Sequence, residues 1–307
     1  MRVLVSGATG FVGRYLIRHL LEVTRDVEIV GTTRRSGVES WDARLRLVPC
    51  DLSRPGAEDA RRLIATEQPD QIYHLAGASS GAAADHEAVF SANVLGTQRL
   101  MAAVAAETPP ARCLFTSSGY VYGPCDARRP AREGDALKPL GVYAESKRDA
   151  ERYARDAGAV VARAFNHTGP GQTDAFVVPA FARQIALIER GLHPPQIEVG
   201  NLEAQRDFLD VRDVVRAYHA LLNQGRRAET YNVCRGEAYP LQTALSDLLA
   251  LSSQSIEVVQ SPQRMRAGDI PVSVGDPSKL TFHTGWTPQV AFPKTLEDTL
   301  DWWRAQM

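Results

Sequence analysis

The sequence lacks several features that would assign the protein to a specialised class. No apolar run approaches the ~20 residues that a membrane-spanning helix needs. The formal net charge of −1 provides no overall attraction to DNA or RNA. Internal repeats and low-complexity segments are also absent from the sequence. We therefore expect neither a membrane nor a nucleic acid as a partner.

Cysteine is scarce, and its spacing matches no metal-binding or disulfide framework. Cys50, Cys113, Cys125 and Cys234 lie far apart, without C-x-x-C spacing. We expect small, reduced, mostly buried side chains and no metal site. The opening MRVLVSGATG indicates a strand and a glycine turn rather than a signal peptide, so the cytoplasm is the expected location.

The 307 residues alternate between strand and helix patterns in their first half. The predicted strands are 3–6, 28–31, 46–48, 71–75, 113–116 and 160–163. The predicted helices between them are 12–23, 57–67, 88–107 and 143–157. Because each crossover places a helix on a sheet face, this alternation predicts an α/β fold with a doubly wound parallel sheet, the Rossmann class.

The alternation breaks after Arg163, where proline and glycine interrupt the chain. Further helices are predicted at 178–190, 211–224, 241–251 and 296–303. We expect a dinucleotide-binding domain of residues 1–165 plus about 211–235. A smaller mixed C-terminal lobe, 166–210 plus 236–307, would then bind the substrate.

Gly7, Gly10 and Gly13 follow the first strand and open the first helix. Glycine lets the backbone turn tightly and approach a pyrophosphate closely. Phe11 and Val12 begin the helix, whose free N–H groups would face the phosphates. In this strand–turn–helix context the pattern predicts a dinucleotide site.

The ends of the next strands indicate which dinucleotide binds. An acid that would hold the ribose 2′-hydroxyl of NAD is missing; Arg34 and Arg35 stand there instead. Guanidinium groups can pair with a 2′-phosphate, so NADP(H) is the expected cofactor. Asp51 and Leu52 are predicted near the adenine, and Ala76 and Gly77 permit another close backbone approach.

Tyr143 and Lys147 are four residues apart on a predicted helix, hence on one face. An ammonium beside a phenol favours the phenolate, which predicts a lowered pKa for Tyr143. Such a tyrosine can exchange a proton with a carbonyl or alcohol oxygen during hydride transfer. Ser118, or less strongly Ser117, follows the fifth strand and could hold that oxygen.

Together, the glycine motif, Ser118, Tyr143-x-x-x-Lys147 and Arg206-Asp207-Phe208 resemble the extended short-chain dehydrogenase/reductase superfamily over essentially the whole chain. The run Ala164-Phe165-Asn166-His167-Thr168-Gly169-Pro170-Gly171-Gln172 is similar to that of the GDP-mannose 4,6-dehydratases and GDP-6-deoxy-D-mannose reductases. Gly200-Asn201-Leu202 and Tyr231-Asn232-Val233-Cys234 resemble the reductase branch.

This resemblance implies a role for each candidate residue. Tyr143 would be the catalytic acid, Lys147 would hold the cofactor ribose, and Ser118 would bind the sugar 4-keto oxygen. Asn166, Arg206 and Arg266 would contact the diphosphate of a GDP-linked deoxyhexose. The implied reaction is NADPH-dependent reduction of GDP-4-keto-6-deoxy-D-mannose to GDP-6-deoxy-D-mannose, a polysaccharide precursor. Homodimerisation through helices 88–107 and 143–157 is implied as well.

Related reactions are distinguished by the residues after Ser118. The dehydratases carry an Asp or Ser and then a Glu there, whereas this chain has Gly119 and Tyr120, so elimination is disfavoured. Tyr120 also replaces the cysteine of GDP-fucose synthases. Arg34 and Arg35 argue against a 4-epimerase that retains NAD. The alternatives are reduction to GDP-6-deoxytalose, a GDP-deoxyheptose substrate and, although the arginines disfavour it, a nucleotide-sugar 4-epimerase. A non-catalytic dinucleotide-sensing regulator is the last alternative.

Overall fold

The computed structural model describes residues 1–54, 58–79, 85–107, 110–265 and 269–307. The strands, numbered along the chain, are β1 (Arg2–Ser6), β2 (Glu28–Thr33), β3 (Leu45–Pro49), β4 (Gln71–His74), β5 (Arg112–Ser118), β6 (Val160–Ala164), β7 (Asn166–Thr168), β8 (Gln196–Val199), β9 (Gln205–Arg206), β10 (Phe208–Asp210), β11 (Thr230–Val233), β12 (Tyr239–Pro240), β13 (Glu257–Gln260) and β14 (Val272–Ser273).

The α-helices are α1 (Phe11–Val23), α2 (Glu58–Glu67), α3 (His86–Phe90), α4 (Gly96–Ala105), α5 (Val142–Asp156), α6 (Val177–Glu189), α7 (Val211–Gln224), α8 (Leu241–Ala250), α9 (Ser278–Thr284) and α10 (Phe292–Gln306). A π-helical turn (Ser91–Leu95) joins α3 to α4, and a 3₁₀ turn (Gly119–Tyr122) follows β5. The helix predicted at 88–107 is therefore divided by the π turn.

Seven parallel strands form the central sheet in the order β11-β6-β5-β4-β1-β2-β3. Within β1, Val3 and Val5 point into one core, and Leu4 points into the other. Such buried strands need apolar residues on both faces, because helices cover both sides of a parallel sheet. The doubly wound α/β class is confirmed.

Each face of the sheet has its own helical layer. Helices α1 and α7 bury Leu16, Ile17 and Leu221 in one core, while α2, α4 and α5 pack on the opposite face. The strand order reverses between β1 and β4, so the loops after these strands diverge to opposite faces. This opening at the carboxyl edge of the sheet is where doubly wound folds bind ligands.

A third core is formed by α6, α8 and α10 together with the short strand pair β8–β13. It lies in the segments predicted to form the smaller lobe. However, Leu280 on α9 and the following Trp286 pack in the same core as α1 and α7. Part of segment 236–307 therefore contacts the dinucleotide-binding side, and the proposed domain boundaries stay a prediction.

Candidate active site

A cleft of about 710 Å³ lies between the carboxyl edge of the sheet and the α6–β8 side of the third core. Most of the predicted site residues line it: Gly7, Gly10, Phe11, Val12, Gly13, Gly77, Ser117, Ser118, Tyr143, Lys147, Asn166 and Arg206. The structure thus brings together residues that are up to two hundred positions apart in the chain.

The glycine loop forms the wall of the cleft after β1. Gly7 has φ +74°, and a Cβ there would lie 3.0 Å from the Ala76 nitrogen. Gly10 precedes α1 and donates its N–H to the Gly7 carbonyl at 3.0 Å. No side chain caps the first turn of α1, so its N–H groups face the cleft unshielded. This is the backbone arrangement that binds a diphosphate.

The arginines after β2 lie outside the residues that line the cleft. Arg34 and Arg35 are exposed, and the Arg35 N–H donates to the Thr33 hydroxyl at 3.2 Å. Asp51 accepts hydrogen bonds from Ser53, while Arg34 contributes to the electrostatic field at Asp51. The two loops therefore adjoin one another, although contacts to a 2′-phosphate stay a prediction.

The loop after β4 brings the backbone close to Lys147. The Ala76 N–H donates to the Ser6 hydroxyl at 3.1 Å. A Cβ at Gly77 would lie 2.5 Å from Asn93 Oδ1 and 3.3 Å from Lys147 Nζ. A side chain at position 77 would therefore have to displace the ends of the Asn93 and Lys147 side chains.

Ser118, Tyr143 and Lys147 converge at the end of β5. Gly141, with φ +82°, turns the chain into α5, so Tyr143 is on its first turn and Lys147 is one turn later. Ser118 lies close enough to Tyr143 for its hydroxyl to influence the pKa of the phenol. Lys147 Nζ donates to the Thr116 carbonyl at 2.9 Å and lies 5.2 Å from the centre of the Phe115 ring.

The protonation states of this group differ in part from expectation. Burial raises the pKa of Tyr143 to about 12, although the neighbouring Ser118 hydroxyl acts in the opposite direction. The predicted lowering by Lys147 is wrong for the protein alone, because desolvation of the phenolate dominates. Burial lowers the pKa of Lys147 to about 8, against the attraction of Glu151.

Ser117 has a different partner from the one predicted. Its hydroxyl donates to Glu151 Oε1 at 2.6 Å. Glu151 also accepts hydrogen bonds from Arg163 at 2.7 and 2.8 Å and from Arg155 at 2.9 Å. Because neighbouring residues of a strand point to opposite faces, Ser118 is directed towards Tyr143 and Ser117 towards this buried cluster. A substrate contact through the Ser117 hydroxyl is therefore not supported.

The predicted phosphate-binding residues lie on the other side of the cleft. The Asn166 amide donates to the Tyr120 hydroxyl at 3.1 Å. Arg206, only 5% exposed, donates to Asp269 Oδ1 at 2.6 Å and to the Gln205 carbonyl at 2.9 Å. In the protein alone, a carboxylate thus takes the place predicted for a phosphate. Arg266 lies outside the described residues.

Two buried polar atoms support a fit to the predicted dinucleotide. Thr168 Oγ1 and Gln172 Oε1 have no hydrogen-bond partner among the described residues, and both side chains line the cleft. A Cβ at Gly169, between them, would lie 2.9 Å from Val211 Cγ1 and 3.9 Å from the Phe11 ring at the start of α1. Unpaired buried polar atoms are costly, so a polar ligand that reaches both the glycine loop and this segment fits the site.

Sequence reasoning missed Asn93 and Asp269. Asn93 lies in the π-helical turn, where its Oδ1 accepts from the Ala78 N–H at 2.8 Å and its Nδ2 donates to Ser146 Oγ at 2.9 Å. Ser146 in turn donates to the Tyr143 carbonyl at 2.7 Å. Periodicity gave no signal for Asn93, because the extra residue of a π turn is invisible in an otherwise helical pattern.

Residues 3–234 match the NAD dependent epimerase/dehydratase family. The chain belongs to this family. It is 34% identical to the GDP-6-deoxy-D-mannose reductase of Pseudomonas aeruginosa, over 100% of this chain and 98% of that protein. It is 28% identical to the GDP-6-deoxy-D-talose 4-dehydrogenase of Aggregatibacter actinomycetemcomitans, over 91% and 90% of the two chains. The resemblance inferred from the motifs is confirmed.

Solved structures show the same fold. RMD from Pseudomonas aeruginosa, complexed with NADPH, superposes with a TM-score of 0.84 at 32% identity and covers 100% of this chain and 99% of its own. The Thermus thermophilus UDP-glucose 4-epimerase, in complex with NAD, gives a TM-score of 0.87 at 27% identity, with full coverage of both chains. Within the described residues of the present protein, no helix is long and apolar enough to cross a membrane.

Proposed function

We propose that this protein is an oxidoreductase that uses NADPH to reduce the C4 keto group of GDP-4-keto-6-deoxy-D-mannose to GDP-6-deoxy-D-mannose (GDP-D-rhamnose). The observation that carries the proposal is the convergence of Ser118, Tyr143 and Lys147 on one cleft at the carboxyl edge of the sheet. The full-length similarity to a GDP-6-deoxy-D-mannose reductase supports the choice of substrate.

Each residue then has a defined task. NADPH supplies the hydride when it is bound. The glycine loop and the first turn of α1 bind its diphosphate, and Lys147 holds the ribose. Ser118 donates a hydrogen bond to the keto oxygen, and Tyr143 gives that oxygen its proton as the carbonyl is reduced.

The protonation state of Tyr143 suits the reductive direction. With its pKa raised to about 12 by burial, the phenol keeps its proton at neutral pH. A ketone reduction needs this proton, whereas alcohol oxidation needs a phenolate. The phenol is therefore in the protonation state that a proton donor to the keto oxygen needs.

The residues after Ser118 offer no carboxylate for dehydration. A Cβ at Gly119 would lie 2.7–2.9 Å from carbons of the Phe165 ring, so this ring fills the space that a side chain at 119 would need. At the next position, Tyr120 is engaged by Asn166. Elimination of water needs an acid and a base at the sugar, so we infer a simple ketoreductase.

A second product is possible because the face of C4 that receives the hydride depends on how the ring binds. GDP-6-deoxy-D-talose differs from GDP-6-deoxy-D-mannose only at C4. The 28% identity to a GDP-6-deoxy-D-talose 4-dehydrogenase keeps this product as the alternative. NMR of the product distinguishes the two epimers directly.

The test of the proposal follows NADPH absorbance after GDP-4-keto-6-deoxy-D-mannose is added. We expect turnover by the wild type and a rate ~10²–10⁴-fold lower for Tyr143→Phe, which keeps the ring but loses the acid. Tyr153→Phe, on the same helix outside the cleft lining, is the matched control and should keep its activity. Equal rates for the wild type and Tyr143→Phe would contradict the mechanism.

We also propose that two copies associate through α4 and α5, and that the enzyme acts in the cytoplasm on a precursor of a polysaccharide. The outward side of α5 carries Glu145, Arg148 and Arg152, while that of α4 carries Ala102 and Ala105. Light scattering on the wild type and on Ala102→Arg tests the association. A dimer that persists in Ala102→Arg would argue against this interface.

A further inference from the structure

The Tyr120–Asn166 pair links the two ends of the cleft. Tyr120 is two residues after Ser118, in the 3₁₀ turn that begins where the Ser118 hydroxyl accepts the Tyr120 N–H at 3.2 Å. Asn166 is aligned with Phe208 in the neighbouring strand, two residues after Arg206. A sugar that extends from the reacting oxygen at Ser118 to a diphosphate at Arg206 must therefore pass this pair.

The hydrogen bond between Tyr120 and Asn166 leaves the Tyr120 O–H free to donate into the cleft. The Tyr120 hydroxyl oxygen accepts a hydrogen bond from Asn166 Nδ2 at 3.1 Å. Among the described residues, this is the hydrogen bond found for the phenol oxygen. Tyr120 is partly exposed and lines the cleft. Because a phenol also carries a proton, its O–H is available to donate to a ligand oxygen in the cleft.

The chemistry of the hexose ring indicates which oxygen that is. In the proposed reaction Ser118 and Tyr143 hold the oxygen on C4. Tyr120 is close enough to Tyr143 to act on its phenol electrostatically, so it would face a neighbouring ring position. One neighbour of C4, namely C5, carries a methyl group; the other, C3, carries a hydroxyl. A phenol donor beside an amide matches the hydroxyl and gains nothing from the methyl group.

We propose that Tyr120 determines specificity by donating a hydrogen bond to the C3 hydroxyl of the hexose, with Asn166 as the residue that orients the phenol. This inference rests on the proposed function, since it requires a GDP-linked hexose in the cleft. The dehydratases carry a glutamate at this position, and the proposal gives the tyrosine that replaces it here a role in binding the sugar. Sugars without a C3 hydroxyl are then poor ligands.

The test measures dissociation constants by calorimetry for GDP, GDP-6-deoxy-D-mannose and its 3-deoxy counterpart. We expect the wild type to bind the 3-deoxy sugar about five- to tenfold more weakly than the complete sugar, and Tyr120→Phe to bind the two equally. GDP should bind both proteins with the same affinity. Tyr122→Phe, in the same turn but bonded to Asn232 and Arg163, is the matched control and should still discriminate.

Two failures are distinguishable. If the wild type does not bind GDP, the proposed substrate class is wrong, and the inference falls with it. If GDP binds normally but Tyr120→Phe still discriminates against the 3-deoxy sugar, only the assignment of Tyr120 is overturned. Thermal unfolding of each variant verifies that it is folded, and equal weakening of GDP and both sugars by Tyr120→Phe would also overturn the assignment.

Discussion

The two sides of the cleft are built in different ways. On the side proposed to carry the chemistry, Ser118, Tyr143 and Lys147 come from one strand end and one helix, and Lys147 donates a hydrogen bond to the Thr116 carbonyl. On the opposite side, Arg206 comes from a two-residue strand and is neutralised by Asp269. If the proposed roles are right, the first side is already arranged for the reaction, whereas Arg206 has to leave Asp269 before it can bind a phosphate.

This difference follows from how each side folds. The ends of long parallel strands and the helices after them have positions fixed by the buried sheet. Short strands such as β9 and β14 form few ladder hydrogen bonds, so their side chains need partners from elsewhere. We therefore expect local geometry to fix the reacting groups, and the affinity for substrate to depend on ion pairs that a ligand replaces.

Arg206→Gln tests whether Arg206 binds the substrate diphosphate. If Arg206 leaves Asp269 for the substrate diphosphate, its loss removes charge-assisted hydrogen bonds and leaves a carboxylate next to the phosphates. We expect the affinity for GDP to fall about 30- to 100-fold, with the affinity for NADPH unchanged. Calorimetry with each nucleotide measures both values.

Arg212→Gln provides the control for that experiment. Arg212 pairs with Asp210 and Asp298, away from the residues that line the cleft. Its substitution can lower stability but should leave GDP affinity unchanged. Similar losses of GDP affinity in both variants would show that the ion pairs only maintain the fold.

The lowered pKa of Lys147 predicts that the free energy of unfolding depends on pH. Its pKa is lowered to about 8 by burial, so the folded protein binds fewer protons than the unfolded chain between about pH 8 and pH 10.5. Stability from this group therefore rises with pH across that window. Relative to Lys147→Met, the wild type should gain ~2 kcal/mol of unfolding free energy between pH 7 and pH 9.5.

Urea unfolding of the protein without NADPH measures this difference. Lys138→Met removes an exposed ammonium and is the control; its difference from the wild type should be the same at both pH values. A difference for Lys147→Met that does not change with pH would mean that the ammonium is stabilised as fully in the fold as in water. Burial of the Lys147 ammonium would then not lower the stability of the fold.

The sequence predicted the central sheet and the side of the cleft formed by the glycine loop and α5, because these depend on residues close together in the chain. The sheet, the glycine loop and the Tyr143–Lys147 spacing depend on periods of two and four residues, which are visible in one sequence. Helix α7 begins and ends where it was predicted, and α1 begins one residue earlier. The short helix α9 was missed, because seven residues with one buried leucine give no periodic signal.

The features that sequence reasoning missed depend on long-range contacts. The Asp269–Arg206 pair joins residues 63 positions apart. Ser117 is a plausible ligand residue by position, but Glu151, 34 positions away, takes its hydroxyl. The pKa of Tyr143 depends on how completely the fold buries the phenol, which spacing to Lys147 does not reveal.

Asp269→Asn should change the affinity for GDP less than Arg206→Gln does. If Asp269 competes with the diphosphate for Arg206, removal of its charge should tighten GDP binding about three- to tenfold. Weaker binding would instead mean that Asp269 holds Arg206 in its binding orientation. Asp247→Asn, on α8 with Tyr239 as its partner, is a carboxylate control and should leave GDP affinity unchanged.

The smallest expected effect concerns the exposed arginines after β2. If Arg34 and Arg35 pair with the 2′-phosphate, Arg34→Ala and Arg35→Ala should each raise KM for NADPH about threefold to tenfold while leaving KM for NADH unchanged. The effect should shrink at high salt, because exposed charges are screened. Arg54→Ala, which removes another exposed arginine near Asp51, serves as the control. Equal changes for NADPH and NADH would contradict recognition of the 2′-phosphate, and would leave the glycine loop as the element that binds either dinucleotide.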